Sequence, residues 1–494
     1  MGDIQTGEAH EATMEVIILG SGGGPMEDNT TAFLVRSTST AWRPNSLLAV
    51  DAGVHLASIV KILEQHYPPS SDVGEPNTCR TVTTGPFKGL ELPNESVDSN
   101  ALHITQNMVE TFLMTHPHLD HISGFVVNTS IFDGSRRKIL AGMPTTIEAF
   151  KRHIFNGIIW PNLSDENEGF GLIHYYRLEP GGNLMVKNGG YVQLCDGLGV
   201  KGMYVTHGDC KETHFRQKSH DHSGSAMPYG VASPGATRQN SHCSESLSEI
   251  TRKSHFIPPV DGKCVTDSTA YFIRDIASSQ EIIIFGDLEA DSVSKQDRNR
   301  KVWAEAAPKF ATSQLKGILI ECSYVSSRNK TQLYGHLTPF YLYEELLVLA
   351  KMVQELKASS RRDSNKRKLS NVIDHLFEES PRQTPRASIR KLSPISPKSI
   401  PRPDVPIFRS VMANLEDSLS KEVGNSPDGS SQSLRDNLDH ALHGLKVVII
   451  HVKETMKDGR DVKEMIMEDL MALEQEYRLG CEFIMSAPGL AVYL

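Results

Sequence analysis

Short apolar runs separated by polar stretches dominate the chain, and most of the runs stop at a glycine, an acid or a histidine. Glu15-Val16-Ile17-Ile18-Leu19, residues 31–35 and Leu47-Leu48-Ala49-Val50 predict three buried strands near the start. Thr111-Phe112-Leu113-Met114 predicts a fourth, and residues 191–205 hold two more apolar stretches. Residues 269–273, Ile282-Ile283-Ile284-Phe285, Gly317-Ile318-Leu319-Ile320, residues 445–450 and residues 481–485 continue the series. Helical periodicity falls at 58–67, 145–153, 341–356 and 461–477. Strands alternating with helices predict an α/β fold.

The polar stretches are of different kinds. Residues 68–100 are rich in Pro, Gly, Ser, Thr and Asn and read as a long surface loop. Residues 211–263 contain His214, His220, His222, His242 and His255, but no apolar periodicity fixes them, so the stretch reads as a mobile polar loop insertion placed to act as a lid. Residues 357–434 read as a disordered basic Ser/Pro-rich insertion: within 357–403, twelve Lys or Arg stand against four Asp or Glu. The remainder, 15–494, reads as a single catalytic domain interrupted by these two insertions.

Over 494 residues the formal net charge is -9, which excludes a global basic field suited to a long nucleic acid. The seven cysteines are scattered and form no Cys-x-x-Cys, as expected of a reducing compartment. Residues 1–15 lack the basic start and apolar core of a signal peptide, and no apolar run approaches the roughly 18 residues that span a bilayer. The expected location is cytoplasmic, with the nucleus open and no membrane partner.

The chemistry centres on His116-Pro117-His118-Leu119-Asp120-His121, three imidazoles and a carboxylate directly after an apolar strand. Imidazole nitrogen and carboxylate oxygen suit zinc, or manganese or iron with less selectivity. Later strands end in the same way, at His207, Asp287, Glu321 and His451. His116, His118, Asp120, His121, His207, Asp287 and His451 are too many for one tetrahedral ion and suit two divalent metal ions sharing a carboxylate. Gly20-Ser21-Gly22-Gly23-Gly24 fails as a dinucleotide cradle because a strand follows it, and is expected to pass close to something bulky. Asp51 is expected either to orient a ligand histidine or to cap the next helix.

In this order of ligands the sequence resembles the metallo-β-lactamase superfamily, whose fold is an αββα sandwich with a dinuclear metal site at one sheet edge. Its closer resemblance is to class II cyclic-nucleotide phosphodiesterases, carried by His116 to Gly124, Asp51-Ala52-Gly53, Ser268 to Phe272, Gly286-Asp287, Gly335-His336-Leu337-Thr338-Pro339 and Ile450-His451-Val452-Lys453. Phe125, Thr129 and Ser130 depart from that signature. The resemblance implies that His116, His118 and His207 hold one Zn2+, that Asp120, His121 and His451 hold the other, and that Asp287 bridges. It further implies attack of a metal-bridged hydroxide on cyclic AMP, or cyclic GMP, to give the 5′-nucleotide and lower the signal. Asp120, His336 and Glu321 are the implied catalytic residues, His336 binding phosphate or protonating the leaving oxygen while paired with Glu321. The rivals are a ribonuclease Z-like RNA endonuclease, opposed by the acidic balance, and a pseudoenzyme acting as a signalling partner. Arg367-Lys368-Leu369-Ser370 and Arg390-Lys391-Leu392-Ser393 suit a basophilic kinase acting on Ser370 and Ser393. Expected partners are thus a small cyclic nucleotide and such a kinase, no stable nucleic acid, and a second copy of the chain as an open option.

Overall fold

A computed structural model describes residues 12–67, 79–183, 185, 189–210, 264–376 and 438–494. Two seven-stranded sheets lie at its centre. The first contains β1 (Met14–Gly20), β2 (Ala32–Ser37), β3 (Leu47–Ala52), β6 (Val109–Met114), β7 (Lys138–Gly142), β8 (Ile173–Arg177) and β16 (Ala491–Tyr493), in the order β16-β1-β2-β3-β6-β7-β8. The second contains β9 (Val192–Cys195), β10 (Leu198–Cys210), β11 (Cys264–Asp275), β12 (Glu281–Phe285), β13 (Leu315–Glu321), β14 (Lys446–Ile450) and β15 (Glu482–Met485), in the order β15-β14-β13-β12-β11-β10-β9. Strands β12 to β15 run parallel, which accounts for their unbroken aliphatic sequences, since both faces are covered.

The two-residue period of each strand divides its side chains between two cores. Val16, Ile18, Val50 and Leu113 of the first sheet meet Ile282, Ile284, Leu319 and Val448 of the second, forming the layer between the sheets. Ile17, Leu19, Ala49 and Phe112 face outward onto helices α1 (Leu56–His66), α2 (Val97–His103), α3 (Leu119–Asn128) and α4 (Pro144–Ala149). On the opposite side Ile283, Phe285, Ile318, Ile320, Val447 and Ile449 pack under α6 (Arg298–Ala311), α7 (Pro339–Leu376) and α8 (Val462–Tyr477), which follow the single-turn α5 (Asp291–Ser294). This is the expected αββα sandwich.

Two expectations change. Residues 79–100 are not an open loop: β4 (Arg80–Thr81) and β5 (Glu91–Leu92) form a hairpin, and Val82, Phe87, Leu90 and Leu92 are buried against the first sheet's outer core. The few apolar side chains are spaced among turn residues, so no periodicity announces them. Helix α7 runs to Leu376 rather than stopping near Leu356, because residues 357–376 contain no Gly or Pro and their Lys, Arg and Ala favour helix despite the charge. The rest of the basic stretch with Ser393, the side chain of Ser370, and the polar stretch 211–263 with its histidines lie outside the described residues. Chain contacts separate residues 1–208 with 267–494 from residues 209–266, and of the latter only strand ends are described. Cys79, Cys195, Cys322 and Cys481 are free, and no described helix is long and apolar enough to cross a membrane.

Candidate metal centre

Register brings the polar strand ends together. β3 lies beside β6, so Asp51 emerges next to Thr115, and Glu321 on β13 is the partner of Ile450, which places it beside His451. His116 follows β6, His118 immediately precedes α3, and Asp120 and His121 occupy the first turn of that helix. His207 lies late in β10, Asp287 two residues beyond β12, and His336 in the turn before α7.

Ligand atoms of His116, His118, His207 and Asp287 lie within 4.8 Å of one another, and those of Asp120, His121, Asp287 and His451 form a second such group. Asp287 belongs to both. From its Oδ1, His121 Nε2 is 3.2 Å away; from its Oδ2, His451 Nε2 is 3.1 Å and the Nε2 atoms of His116 and His207 are 3.7 Å. His207 Nε2 and His118 Nδ1 are 3.2 Å apart. Two nitrogens on one tetrahedral zinc, each about 2.0–2.1 Å from it, would stand about 3.3 Å apart.

On four of the five candidate histidines, the second ring nitrogen fixes which nitrogen is free. Asp51 Oδ2 accepts from His121 Nδ1 at 2.8 Å, and Gly335 O accepts from His207 Nδ1 at 2.9 Å. Thr115 Oγ1 donates to Asp51 Oδ2 at 2.8 Å, so it can accept only from His116 Nδ1, 3.1 Å away. Thr31 Oγ1 donates to Gly22 O at 3.2 Å and accepts from His451 Nδ1 at 2.7 Å. In the neutral form, His116, His121, His207 and His451 thereby keep the lone pair on Nε2, facing the centre. The Nε2 atoms of His116, His121 and His451 are buried without a hydrogen-bond partner. Converging nitrogens and a shared carboxylate, with buried atoms lacking partners, fit a pair of divalent cations.

Electrostatics follow the same geometry. Burial, with neighbouring His121, pushes His116 well below the usual histidine range, and burial takes His207 down to about 4. Burial opposes charge on His121 too, yet Asp287 and Asp51 hold it well above that range. For Asp287 burial would favour the neutral acid, but His451 and His121 hold the carboxyl well below the usual carboxylate range.

A third group, His207, Asp287, Glu321 and His336, is also close. Glu321 Oε1 accepts from Leu288 N at 2.7 Å and His336 Nδ1 at 3.0 Å, while Oε2 accepts from Ser323 Oγ at 2.5 Å and Leu337 N at 3.3 Å. With its oxygens so engaged, Glu321 is an anchor for His336 and not a metal ligand. Burial, reinforced by Asp287, pushes the Glu321 carboxyl up to about 7, and burial lowers His336 to about 4.

Asp51 orients and does not cap α1, whose N-cap is His55. The glycine-rich turn lies against the site: a Cβ on Gly23 would come within 2.5 Å of the His451 ring, and one on Gly53 within 1.9 Å of Asp120 O. Phe125 is buried against Phe112 with centroids 4.7 Å apart and Thr129 Oγ1 accepts from Trp160 Nε1 at 2.9 Å, so these two departures from the signature lie in the outer core, while Ser130 is exposed. Thr31 and the carbonyl of Gly335 carry no mark in the sequence, because an orienting hydroxyl or carbonyl has no distinguishing neighbours.

A family model described as class-II cAMP phosphodiesterases matches residues 16–400. A 3′,5′-cyclic-nucleotide phosphodiesterase of Candida albicans is 28% identical over 410 residues, covering 74% of this chain and 89% of its own length. 3′,5′-Cyclic-nucleotide phosphodiesterase 1 of Saccharomyces cerevisiae is 28% identical over 403 residues, 76% of this chain and 91% of that protein. The crystal structure of unliganded yeast PDE1 matches in fold over 98% of this chain and all of that one, with a TM-score of 0.56 at 22% identity. With the matched segment covering most of the sequence, this chain belongs to the class-II cAMP phosphodiesterase family.

Proposed function

We propose that the chain hydrolyses 3′,5′-cyclic nucleotides, cyclic AMP foremost and cyclic GMP second, to 5′-nucleotides, and so lowers cyclic-nucleotide signals in the cytoplasm. His116, His118 and His207 would hold one divalent cation, Asp120, His121 and His451 a second, and Asp287 both, with zinc the first choice. The observation that carries this reading is the sharing of one Asp287 carboxylate by two groups of ligand atoms in a family of cyclic-nucleotide hydrolases. Bound there, two such cations supply Lewis-acid charge to the phosphate and make a water acidic enough to act as nucleophile near neutral pH.

The chain's own residues then have defined tasks. Asp51, Thr115, Thr31 and Gly335 hold the ring nitrogens in one tautomer, so the ligand set is arranged before substrate arrives. Water oxygen adds to phosphorus as the bond from phosphorus to the 3′ oxygen breaks, and that oxygen must gain a proton. His336, fixed through its Nδ1–H by Glu321, leaves Nε2 free to take up a proton released by the attacking water and pass it to that oxygen, and Glu321 steadies the ring. A basophilic kinase acting on Ser370 and Ser393, and self-association, remain further parts of the same proposal. The deciding experiment is conversion of cyclic AMP to 5′-AMP by purified protein of measured metal content, with a precursor tRNA as the alternative substrate. Hydrolysis of the tRNA and not of cyclic AMP would reject the reading.

A further inference from the structure

Lys453 follows His451 by two residues, and its backbone is held on both sides. Its N–H donates to Ser323 O at 3.1 Å, Gly23 N donates to Val452 O at 3.0 Å, and Glu454 N donates to Gly24 O at 3.2 Å. Its side chain turns back on the glycine turn, where Nζ donates to Gly23 O at 3.0 Å and stands 3.9 Å from Asp120 Oδ2. The second distance is too long for a hydrogen bond. An ammonium has three N–H donors, and one is engaged by Gly23.

The charge of this lysine reaches both halves of the centre. It is felt at His118, Asp120, His336 and His451, which belong to the two candidate ligand groups and to the Glu321 pair. Arg328 is committed elsewhere, with its guanidinium 4.7 Å above the Tyr324 ring. Lys453 keeps 24% of its side chain exposed and Asp120 keeps 27%, so both open toward solvent while His116, His121 and His451 are sealed. Once Asp120 is engaged as a ligand, the ammonium has, among the described residues, the Gly23 carbonyl as its hydrogen-bond partner.

We infer that Lys453 binds the phosphate of substrate and product, with its Nζ donating to a non-bridging phosphate oxygen at the mouth of the site. The inference rests on the reading of the site given above. A cyclic diester carries one negative charge and a 5′-nucleotide nearly two, so the lysine contributes more to holding product than substrate. Arginine would keep the charge. Glutamine would keep a donor for Gly23 O and lose the charge, which separates phosphate binding from bracing of the glycine turn.

The test is calorimetric titration of zinc-loaded wild type, Lys453→Gln, Lys453→Met and Lys453→Arg with inorganic phosphate, and separately with 5′-AMP, after metal content and Tm have been measured. Expected is a loss of phosphate affinity of about tenfold in Lys453→Gln and Lys453→Met with metal content unchanged, and values within about threefold of wild type in Lys453→Arg. In kinetics the inhibition constant for 5′-AMP should rise more than KM for cyclic AMP. Phosphate affinity equal to wild type in both neutral variants would overturn the inference. So would loss of metal in the neutral variants alone, which assigns Lys453 to bracing the centre. Absence of cyclic-nucleotide hydrolysis by wild type, with the affinity difference intact, would reject the assigned substrate and leave the phosphate site standing.

Discussion

His121 gives its Nδ1 proton to Asp51 Oδ2 at 2.8 Å, while the same carboxylate accepts from Thr115 N and Thr115 Oγ1, each at 2.8 Å. One side chain therefore orients His121 directly and His116 through Thr115, reaching one ring in each half of the centre. Asp51 itself adopts a φ of 51°, as His451 does at 58°, a left-handed conformation that non-glycine residues hold only where the surroundings impose it.

Asp51→Asn replaces one accepting oxygen with an amide donor, which cannot face both His121 Nδ1–H and the Thr115 hydroxyl in the same way. Metal affinity, measured by competition with a chromophoric chelator, should fall roughly 10–100-fold. An unchanged affinity would remove Asp51 from the orienting role.

Thr31→Val is close to isosteric and removes only the hydroxyl between Gly22 O and His451 Nδ1. The expected loss, about tenfold in affinity, should be confined to the ion assigned to Asp120, His121 and His451, leaving protein with about one equivalent of metal after dialysis. Equal loss of both ions would contradict the assignment of His451 to one half of the centre.

Metal removal should cost stability as well as activity, because the buried Nε2 atoms of His116, His121 and His451 have no other partner. At a free ion concentration a thousandfold above Kd, the expected gain is about 4 kcal/mol per ion. A chelator should lower Tm, and added Zn2+ should restore Tm and hydrolysis together.

His336→Ala should reduce kcat by roughly 10²–10⁴ with metal content near that of wild type, since the ring is held by Glu321 and outside the two ligand groups. Glu321→Gln keeps an acceptor but offers a donor to Leu288 N, Leu337 N or Ser323 Oγ, so it should lower both kcat and Tm. Loss of metal in His336→Ala would reassign this histidine to the ligand set.

The convergence of the candidate ligand residues and the layer order were legible because both follow from short-range pattern. An aliphatic strand ending in His or Asp states its burial and its polar residue within a few positions, as β6 with His116 and β12 with Asp287 do. Apart from Asp51 and Glu321, the partners of those residues were not legible. Thr31 meets His451 across 420 positions, and Lys453 meets Gly23 across 430, so only the register of two sheets brings them together. The 79–92 hairpin was missed because Val82, Phe87 and Leu90 are buried one at a time among turn residues. The length of α7 was not legible because a run dense in Lys, Arg and Ser matches a disordered segment and a solvated helix equally well.

A carboxylate outside the candidate ligand groups, Glu166, carries its own pH dependence. Glu166 receives two bonds from Arg177, Nη1 to Oε1 at 2.7 Å and Nη2 to Oε2 at 3.1 Å, and one from Lys151 Nζ at 2.9 Å. The Arg177 hydrogen bonds, with Lys151 assisting, hold its carboxyl down at about 2, below the ordinary value of 4.5. A carboxyl lowered on folding stabilises the folded chain fully above about pH 4.5 and loses that contribution as pH falls toward 2. The site is partly open to solvent, so screening keeps the effect modest. Glu166→Gln should therefore lower Tm by roughly 1–3 °C near pH 7, and the gap to wild type should narrow steadily below pH 4.5. Measured on metal-free protein, where ligand protonation does not enter through ion release, a gap that stayed constant from pH 7 to pH 3 would show that these bonds add nothing that depends on the carboxylate charge.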